Sequence, residues 1–288
     1  MTLNYNSASA LRAFLDQEGL GMQKKFGQNF LINPETRKSL VQALDAQNGD
    51  EVWEIGPGLG AMTALLLEKE LKVKAFEIDM GFIRVLKNIF SEDKNFTLVE
   101  GDVMKTWQAQ SGAPFLFGNL PYNVAAALLA DLIENDRIFS RMVVTVQKEV
   151  AQRMAASAGT PDYSSFSVLC ASAYKVKPLM TIRPSSFYPQ PNVDSMAVVL
   201  EKKDVQKYPA VFYPMVRALF ASRRKTIKNN LLTFFTSRFG ESLQNKSAVQ
   251  ELCASVLQSN SLNGGERAES LGQEVFLSLA LSIDNVRL

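Results

Sequence analysis

The most specific chemistry in the chain lies in Gly118-Asn119-Leu120-Pro121-Tyr122-Asn123. The exocyclic amine of adenine is a poor nucleophile, because its lone pair is delocalised into the ring. A site that alkylates such an amine needs acceptors that hold its N–H groups and turn the lone pair outward. The Asn119 side-chain oxygen is one such acceptor and the Leu120 carbonyl is another. Pro121 stiffens the turn. Tyr122 offers a ring face on which an extruded base stacks, a contact worth roughly 1–3 kcal/mol. No strong base is required, because alkylation creates a cation that readily loses its proton. Taken alone, the same residues also suit an ordinary strand-end turn.

A second group surrounds Glu54-Ile55-Gly56-Pro57-Gly58-Leu59-Gly60. Glycines at Gly56 and Gly58 let backbone turn tightly and approach a ligand closely. Such a loop by itself serves a dinucleotide as readily as any other adenosine cofactor. The acids around it narrow the choice. Glu54 stands two residues before the first glycine, where it suits a cationic amine that a dinucleotide lacks. Glu77 closes the next predicted strand, where a carboxylate accepts two ribose hydroxyls. Asp102 follows the third predicted strand in Glu100-Gly101-Asp102 and can accept from an adenine amine. Three acids at successive strand ends fit S-adenosylmethionine (SAM): amino-acid moiety near Gly56, ribose at Glu77, adenine at Asp102. The bland alternative for each acid is a solvated strand end.

Composition removes several other chemistries. The 288 residues contain no histidine, which excludes every imidazole base and the Ser-His-Asp triad. The two cysteines, Cys170 and Cys253, form no Cys-x-x-Cys pair, so neither a disulfide framework nor a zinc site is expected, and no metal is assigned. No apolar run approaches the roughly 18 residues of a membrane span. The first 20 residues lack the apolar core of a secretion signal, so a cytoplasmic location is expected.

The elements that must position these residues alternate. Strands are predicted at 51–55, 72–78, 96–100, 115–117 and 141–146, with helices at 61–69, 82–90, 124–133 and 148–156 between and after them. Such alternation implies an α/β, Rossmann-like parallel sheet with helices on both faces. Met196–Glu201 reads as a late antiparallel strand at the sheet edge. After Asp204 only helical spacing remains, over 212–220, 226–235, 248–257 and 268–282. This places a catalytic domain at 1–203 and a small α-helical domain at 204–288.

The net charge of +2 says little, but its distribution is uneven. Between Val205 and Gly240 the chain carries seven basic residues and no acid, and the tail beyond turns acidic. Arg223-Arg224-Lys225 is therefore a candidate phosphate contact, set against the solvated helix face that a charge run usually is. Lys24, Lys25, Lys148 and Arg153 are weaker candidates.

These motifs, in this order, resemble the ribosomal RNA adenine dimethyltransferases of the bacterial small-subunit type. The resemblance runs from about Lys24 to at least Leu231. It rests on Lys24-Lys-Phe-Gly-Gln-Asn29-Phe-Leu31, the glycine loop, Glu77-Ile-Asp79, Gly101-Asp102, Asn119-Leu-Pro-Tyr-Asn123, Phe187-Tyr-Pro-Gln-Pro-Asn-Val-Asp-Ser195 and Phe220-Ala-Ser-Arg-Arg-Lys-Thr226. It implies SAM contacts at Asn29, Leu31, Gly56, Glu77, Asp102 and Asn119, with S-adenosylhomocysteine as product. It implies that Phe187 covers the second face of the target base, and that the helical end binds RNA. The implied substrate is the 3′-terminal hairpin of 16S rRNA in the small subunit, where two adjacent adenines each receive two methyls. A monomer is expected. Leu120 favours this branch over the large-subunit resistance methylases, which more often carry Ile there. A mainly non-catalytic assembly factor is the remaining alternative, opposed by the intact motifs.

Overall fold

The computed structural model describes residues 3–21, 28–120, 124–204, 207–243 and 246–285, without side chains for 240–243. Pro121, Tyr122, Lys24 and Lys25 lie outside the described residues. The described chain forms two compact units. The first comprises 1–151 and 174–202, the second 152–173 and 203–288. The break at 202/203 falls beside the sequence-based boundary. The stretch 152–173, assigned from sequence to the first domain, instead belongs with the second unit.

The first unit is built on a seven-stranded sheet. Its strands are β2 (Glu51–Ile55), β3 (Lys72–Glu77), β4 (Phe96–Glu100), β5 (Phe115–Asn119), β6 (Arg141–Gln147), β7 (Tyr174–Ile182) and β9 (Ser195–Lys202), in the order β4-β3-β2-β5-β6-β9-β7. The first five are mutually parallel. Parallel strands are covered on both faces and read as near-continuous apolar runs. In β2, Val52, Trp53 and Ile55 are buried accordingly. Glu54 is the exception, a buried acid among these apolar neighbours.

Antiparallel pairing enters with β9, which joins β6 on one side and β7 on the other. The expected antiparallel strand is thus present, but the edge belongs to β7. Lys175, Lys177 and Pro178 give β7 no apolar alternation, and an edge strand needs none. A separate two-stranded ribbon pairs β1 (Phe30–Leu31) with β8 (Phe187–Tyr188).

Helices follow the strands with clear end signals. In α4 (Met80–Phe90), Asp79 caps the start through the amides of Gly81 and Phe82, and Phe82, Ile83, Val85, Leu86 and Phe90 form the buried face. In α2 (Pro34–Ala43), Asn33 caps and Pro34 opens the first turn. A helix not anticipated from sequence, α1 (Ala8–Gln17), seats Leu11 and Leu15 in a cluster with Leu59, Phe82 and Val85. Helices α3 (Ala61–Glu68), α5 (Val103–Thr106), α6 (Ala125–Glu134) and α7 (Lys148–Ala155) complete the connections between strands.

The second unit contains α8 (Ser165–Ala173), α9 (Phe212–Phe220), α10 (Ile227–Leu243), α11 (Lys246–Ser259) and α12 (Gln273–Asp284) around a core that includes Phe212, Phe235 and Phe276. Tyr163 packs there too, and its hydroxyl donates to the Leu271 carbonyl at 3.0 Å. Among the described residues no helix is long and apolar enough to cross a membrane.

Candidate active site

The strand order reverses between β2 and β5, since β3 and β4 are laid down on one side and β6 on the other. Open α/β sheets hold ligands at such a switch point, beyond the carboxyl ends of the strands. A cavity of about 350 Å³ lies there. Glu54, Glu77, Asp102 and Asn119 all line it, from the ends of four strands. So do Asn29, Leu31, Gly56, Gly58 and Leu120. Every described residue assigned from sequence to the cofactor therefore reaches one cavity.

The glycine loop bends as its composition requires. Gly58 has φ 59°, and a Cβ there would come within 3.0 Å of the Phe30 ring. Gly60 has φ 87°, and its Cβ would lie 2.4 Å from Phe90. Side chains at these positions would be strained and would push the loop off its neighbours.

The two glutamates are held differently. Glu77 Oε1 accepts from the amides of Ile78 and Asp79, both at 2.9 Å, and Oε2 accepts from Gly58 N at 3.1 Å. Burial nonetheless pushes its carboxyl up to about 7, against the lowering effect of those amides. Glu54 accepts from the Thr63 hydroxyl at 2.7 Å. Burial pushes it up to about 8, the Thr63 bond lowers it, and the Glu77 charge raises it further. They are 2% and 5% exposed, and neither pairs with a cation among the described residues. A buried carboxylate without a counter-charge is costly, and a cationic ligand removes that cost. This donor set suits SAM, which brings an ammonium, a sulfonium and neutral ribose hydroxyls. It does not suit a pyrophosphate, whose charge would meet Glu54 and Glu77.

Asp102 caps α5 by accepting from Met104 N at 3.0 Å and lines the cavity. Asn119 ends β5, and its Nδ2 donates to the Asn29 carbonyl at 2.8 Å. That bond fixes which end of the amide is which, leaving Oδ1 as the acceptor. The Leu120 amide is spent on the Thr145 carbonyl at 3.0 Å. Gln28 Nε2 donates to Asp79 Oδ2 at 2.9 Å, so the 28–31 segment is fastened on both sides of the cavity.

A sequence profile described as ribosomal RNA adenine dimethylase matches residues 19–259. The chain belongs to the ribosomal RNA adenine dimethylase family. Its members are SAM-dependent methyltransferases. The ribosomal RNA small subunit methyltransferase A of Treponema denticola is 47% identical over 96% of this chain and 94% of its own length. That of Treponema pallidum is 44% identical over 96% of each. A dimethyladenosine transferase from Plasmodium falciparum superposes with a TM-score of 0.75 at 27% identity, covering 88% of this chain and 96% of that one. The 23S rRNA methyltransferase ErmE, at 19% identity and a TM-score of 0.61 over 88% of this chain and 99% of that one, shares the fold. The resemblance drawn from the motifs is borne out.

One expectation about a dimethylase residue needs correction. Phe187 is 1% exposed and sits in the core cluster with Leu31 and Leu40, not on the cavity. The pairing of β8 with β1 instead places Phe187 opposite Leu31 and turns it inward. The structure also locates the basic block. Arg223, Arg224 and Lys225 occupy the turn between α9 and α10, not a helix face. Arg223 meets Glu269 at 3.1 Å and donates to the Pro161 carbonyl at 3.0 Å. Arg224 and Lys225 are exposed. Lys148 lies 3.9 Å from Asp194, and Arg153 is half-buried on α7.

Sequence reasoning passed over Arg37 and Tyr5. Arg37 is buried and ties the N-terminal segment to Leu31, and the Tyr5 hydroxyl reaches the Leu59 carbonyl. The available signal was spacing. Arg37, Leu40, Val41 and Leu44 recur at the interval of one helix face, which puts a cation on a buried stripe.

Proposed function

We propose that this chain dimethylates two adjacent adenines at the N6 position in the 3′-terminal hairpin of 16S rRNA, as a step in small-subunit biogenesis. The observation that carries the reading is the convergence of Glu54, Glu77, Asp102 and Asn119 on one cavity at the strand-order switch. The names of the Treponema relatives support the small subunit as the source of the RNA. The large-subunit reading has only a fold-level likeness behind it. The protein works as a cytoplasmic monomer.

In this reading Asn29, Leu31, Gly56, Gly58, Glu77 and Asp102 hold the cofactor. Bound SAM supplies an electrophilic methyl group. Glu54 and Glu77, whose protons burial holds in the free protein, ionise as a cationic ligand enters the cavity and supply its counter-charge. Asn119 Oδ1 accepts one N–H of the target amine, because its Nδ2 is already spent on Asn29. The Leu120 carbonyl accepts the other. Both interactions turn the amine's lone pair out of the ring plane and so favour the transition state over the ground state. Pro121 holds the turn and Tyr122 stacks on the extruded base. Phe187 is left out of the site. Among the basic candidates, Arg224 and Lys225 are the phosphate contacts best supported by their exposure, with Lys24, Lys25, Lys148 and Arg153 subsidiary.

The decisive experiment uses labelled SAM and purified small subunits that lack the modification, followed by nucleoside analysis. Label recovered as N6,N6-dimethyladenosine in 16S rRNA is the expected result. No transfer to these subunits by a well-folded protein, whether or not it methylates isolated 23S rRNA assayed in parallel, overturns it.

A further inference from the structure

The N-terminal segment packs apolar side chains against Leu59 of the glycine loop and is tied there by one hydrogen bond, backed by a buried arginine. The Tyr5 hydroxyl donates to the Leu59 carbonyl at 3.0 Å, across 54 residues of sequence. Leu59 lies between Gly58 and Gly60 and is itself buried. Behind Tyr5 stands Arg37 on α2. Its Nη1 donates to the Tyr5 carbonyl at 2.9 Å and to the Leu31 carbonyl at 2.7 Å, and its Nη2 donates to the Asn6 side chain. Its Nε has no partner among the described residues.

This arrangement is expensive. Arg37 is 5% exposed, meets only neutral acceptors, and leaves one donor unsatisfied. Burial holds its pKa below the ordinary arginine range. Guanidinium groups are rarely buried without a carboxylate, and an apolar residue on this stripe would pack more cheaply. What the guanidinium does, and an apolar side chain cannot, is hold two backbone carbonyls from separate segments with one planar group. Those segments are the ones that shape the cavity. Leu31 forms one wall. Tyr5 grips the loop whose Gly56 and Gly58 form another. Phe30, next to Leu31, presses on Gly58 and stacks edge-on against Phe82 with ring centroids 5.6 Å apart.

We propose that Arg37 and Tyr5 are positioning residues that lock the glycine loop and the Phe30-Leu31 wall at the spacing the cofactor requires. The proposal rests on the reading of the cavity as a SAM site. The pair touches neither cofactor nor substrate. It removes loop conformations that would otherwise be lost on binding, and preorganisation of this kind appears as ligand affinity.

The test compares the full-length wild type with Tyr5→Phe, Arg37→Lys and a remote control, Leu231→Ala, whose side chain belongs to the second unit's core. Tyr5→Phe keeps the ring and deletes one hydrogen bond. Its dissociation constant for SAM, measured by calorimetry, should rise about three- to tenfold. Its KM for SAM should rise with it, while kcat at saturating SAM and the KM for RNA stay at wild-type values. Without any SAM, amide hydrogen exchange in a peptide covering 56–64 should accelerate. Arg37→Lys, with its compact ammonium, should shift the same quantities in the same direction. Leu231→Ala should lower thermal stability and leave SAM affinity unchanged. Tyr5→Phe with wild-type affinity and wild-type loop exchange refutes the proposal. An equal loss of affinity in Leu231→Ala refutes it too, by reducing the effect to general destabilisation. A wild-type protein that fails to bind SAM refutes the cofactor reading itself, whereas wild-type binding with unaltered variants refutes the tie alone.

Discussion

In the cavity of the first unit, Glu54 and Glu77 are buried and meet no cation among the described residues. In the turn between α9 and α10 of the second unit, Arg223 is exposed and already meets Glu269. The cavity holds two acids whose ionised forms the fold leaves without a counter-charge. The turn holds charge that the fold has partly neutralised for itself. Water screens an exposed arginine whether or not a ligand arrives, so its presence says little. A buried carboxyl without a cation is driven toward its neutral form, and a cationic partner is what draws it into ionisation. The sequence suggested a block of cations separated from the acids of the tail. In the structure the tail folds back, and one of its acids sits on the block.

The contrast breaks most severely at Asn119, where no charge is involved. Asn119→Ala should lower the single-turnover methylation rate roughly a hundredfold, on the scale of losing one preorganised hydrogen-bonding group at a reacting centre. RNA affinity should change far less, because most of it comes from phosphate contacts. A variant of full activity would mean that Oδ1 does not orient the amine.

Next in size is Glu77. Loss of hydrogen bonds to a charged group costs roughly 1.5–3 kcal/mol, so Glu77→Ala should weaken SAM binding by one to two decades. The structure adds a reason for caution in choosing the variant, because the same carboxylate holds the amides of Gly58, Ile78 and Asp79. Glu77→Gln keeps an acceptor for part of that network and should fall between the wild type and Glu77→Ala. Equal dissociation constants across all three would remove Glu77 from the cofactor site.

Proton linkage probes both glutamates at once. Their folded values, about 8 for Glu54 and about 7 for Glu77, lie above the ordinary glutamate value of 4.5. The folded protein without ligand therefore holds these protons more tightly than the unfolded chain. That contribution to stability is complete below the ordinary glutamate range and is lost as pH rises through 7 and 8. Affinity for a cationic ligand runs the opposite way, because binding favours the ionised carboxylates. SAM should bind on the order of tenfold more tightly at pH 8.5 than at pH 6.5, with protons released on binding. Calorimetry in buffers of different ionisation enthalpy measures that release. Glu54→Gln should flatten the pH dependence. A wild-type affinity independent of pH would mean the carboxylates are already ionised in the free protein.

The smallest effects belong to the turn. Arg224→Ala with Lys225→Ala should lower the slope of log affinity for RNA against log salt by about 0.9 for each contact on a duplex. Arg223→Ala should instead cost about 0.2–1 kcal/mol of stability through the lost Glu269 pair and leave the salt slope unchanged. If all three shift the slope equally, the ion pair with Glu269 opens on binding and the contrast between the two regions dissolves.

Much of the catalytic unit was legible in the sequence. Glycines, alternating strands and strand-end acids are local signals, each set within a few residues by turn sterics, hydrophobic period or capping. Glu54, Glu77, Asp102 and Asn119 could be assigned to one site because a parallel sheet brings strand ends together whatever the loops do. Five strands and the pattern of helices between them followed in the same way. Position along the chain could not settle Phe187, whose burial comes from pairing with Leu31 more than 150 residues earlier. Nor could it settle the true edge of the sheet, because β7 lacks alternation and is defined only by what lies on one side of it. The pairing of Arg223 with Glu269, the membership of 152–173 in the second unit and the tie from Arg37 to the glycine loop are likewise contacts between distant segments. A side chain's type states what it can bond, and only the folded chain decides which partner comes within reach.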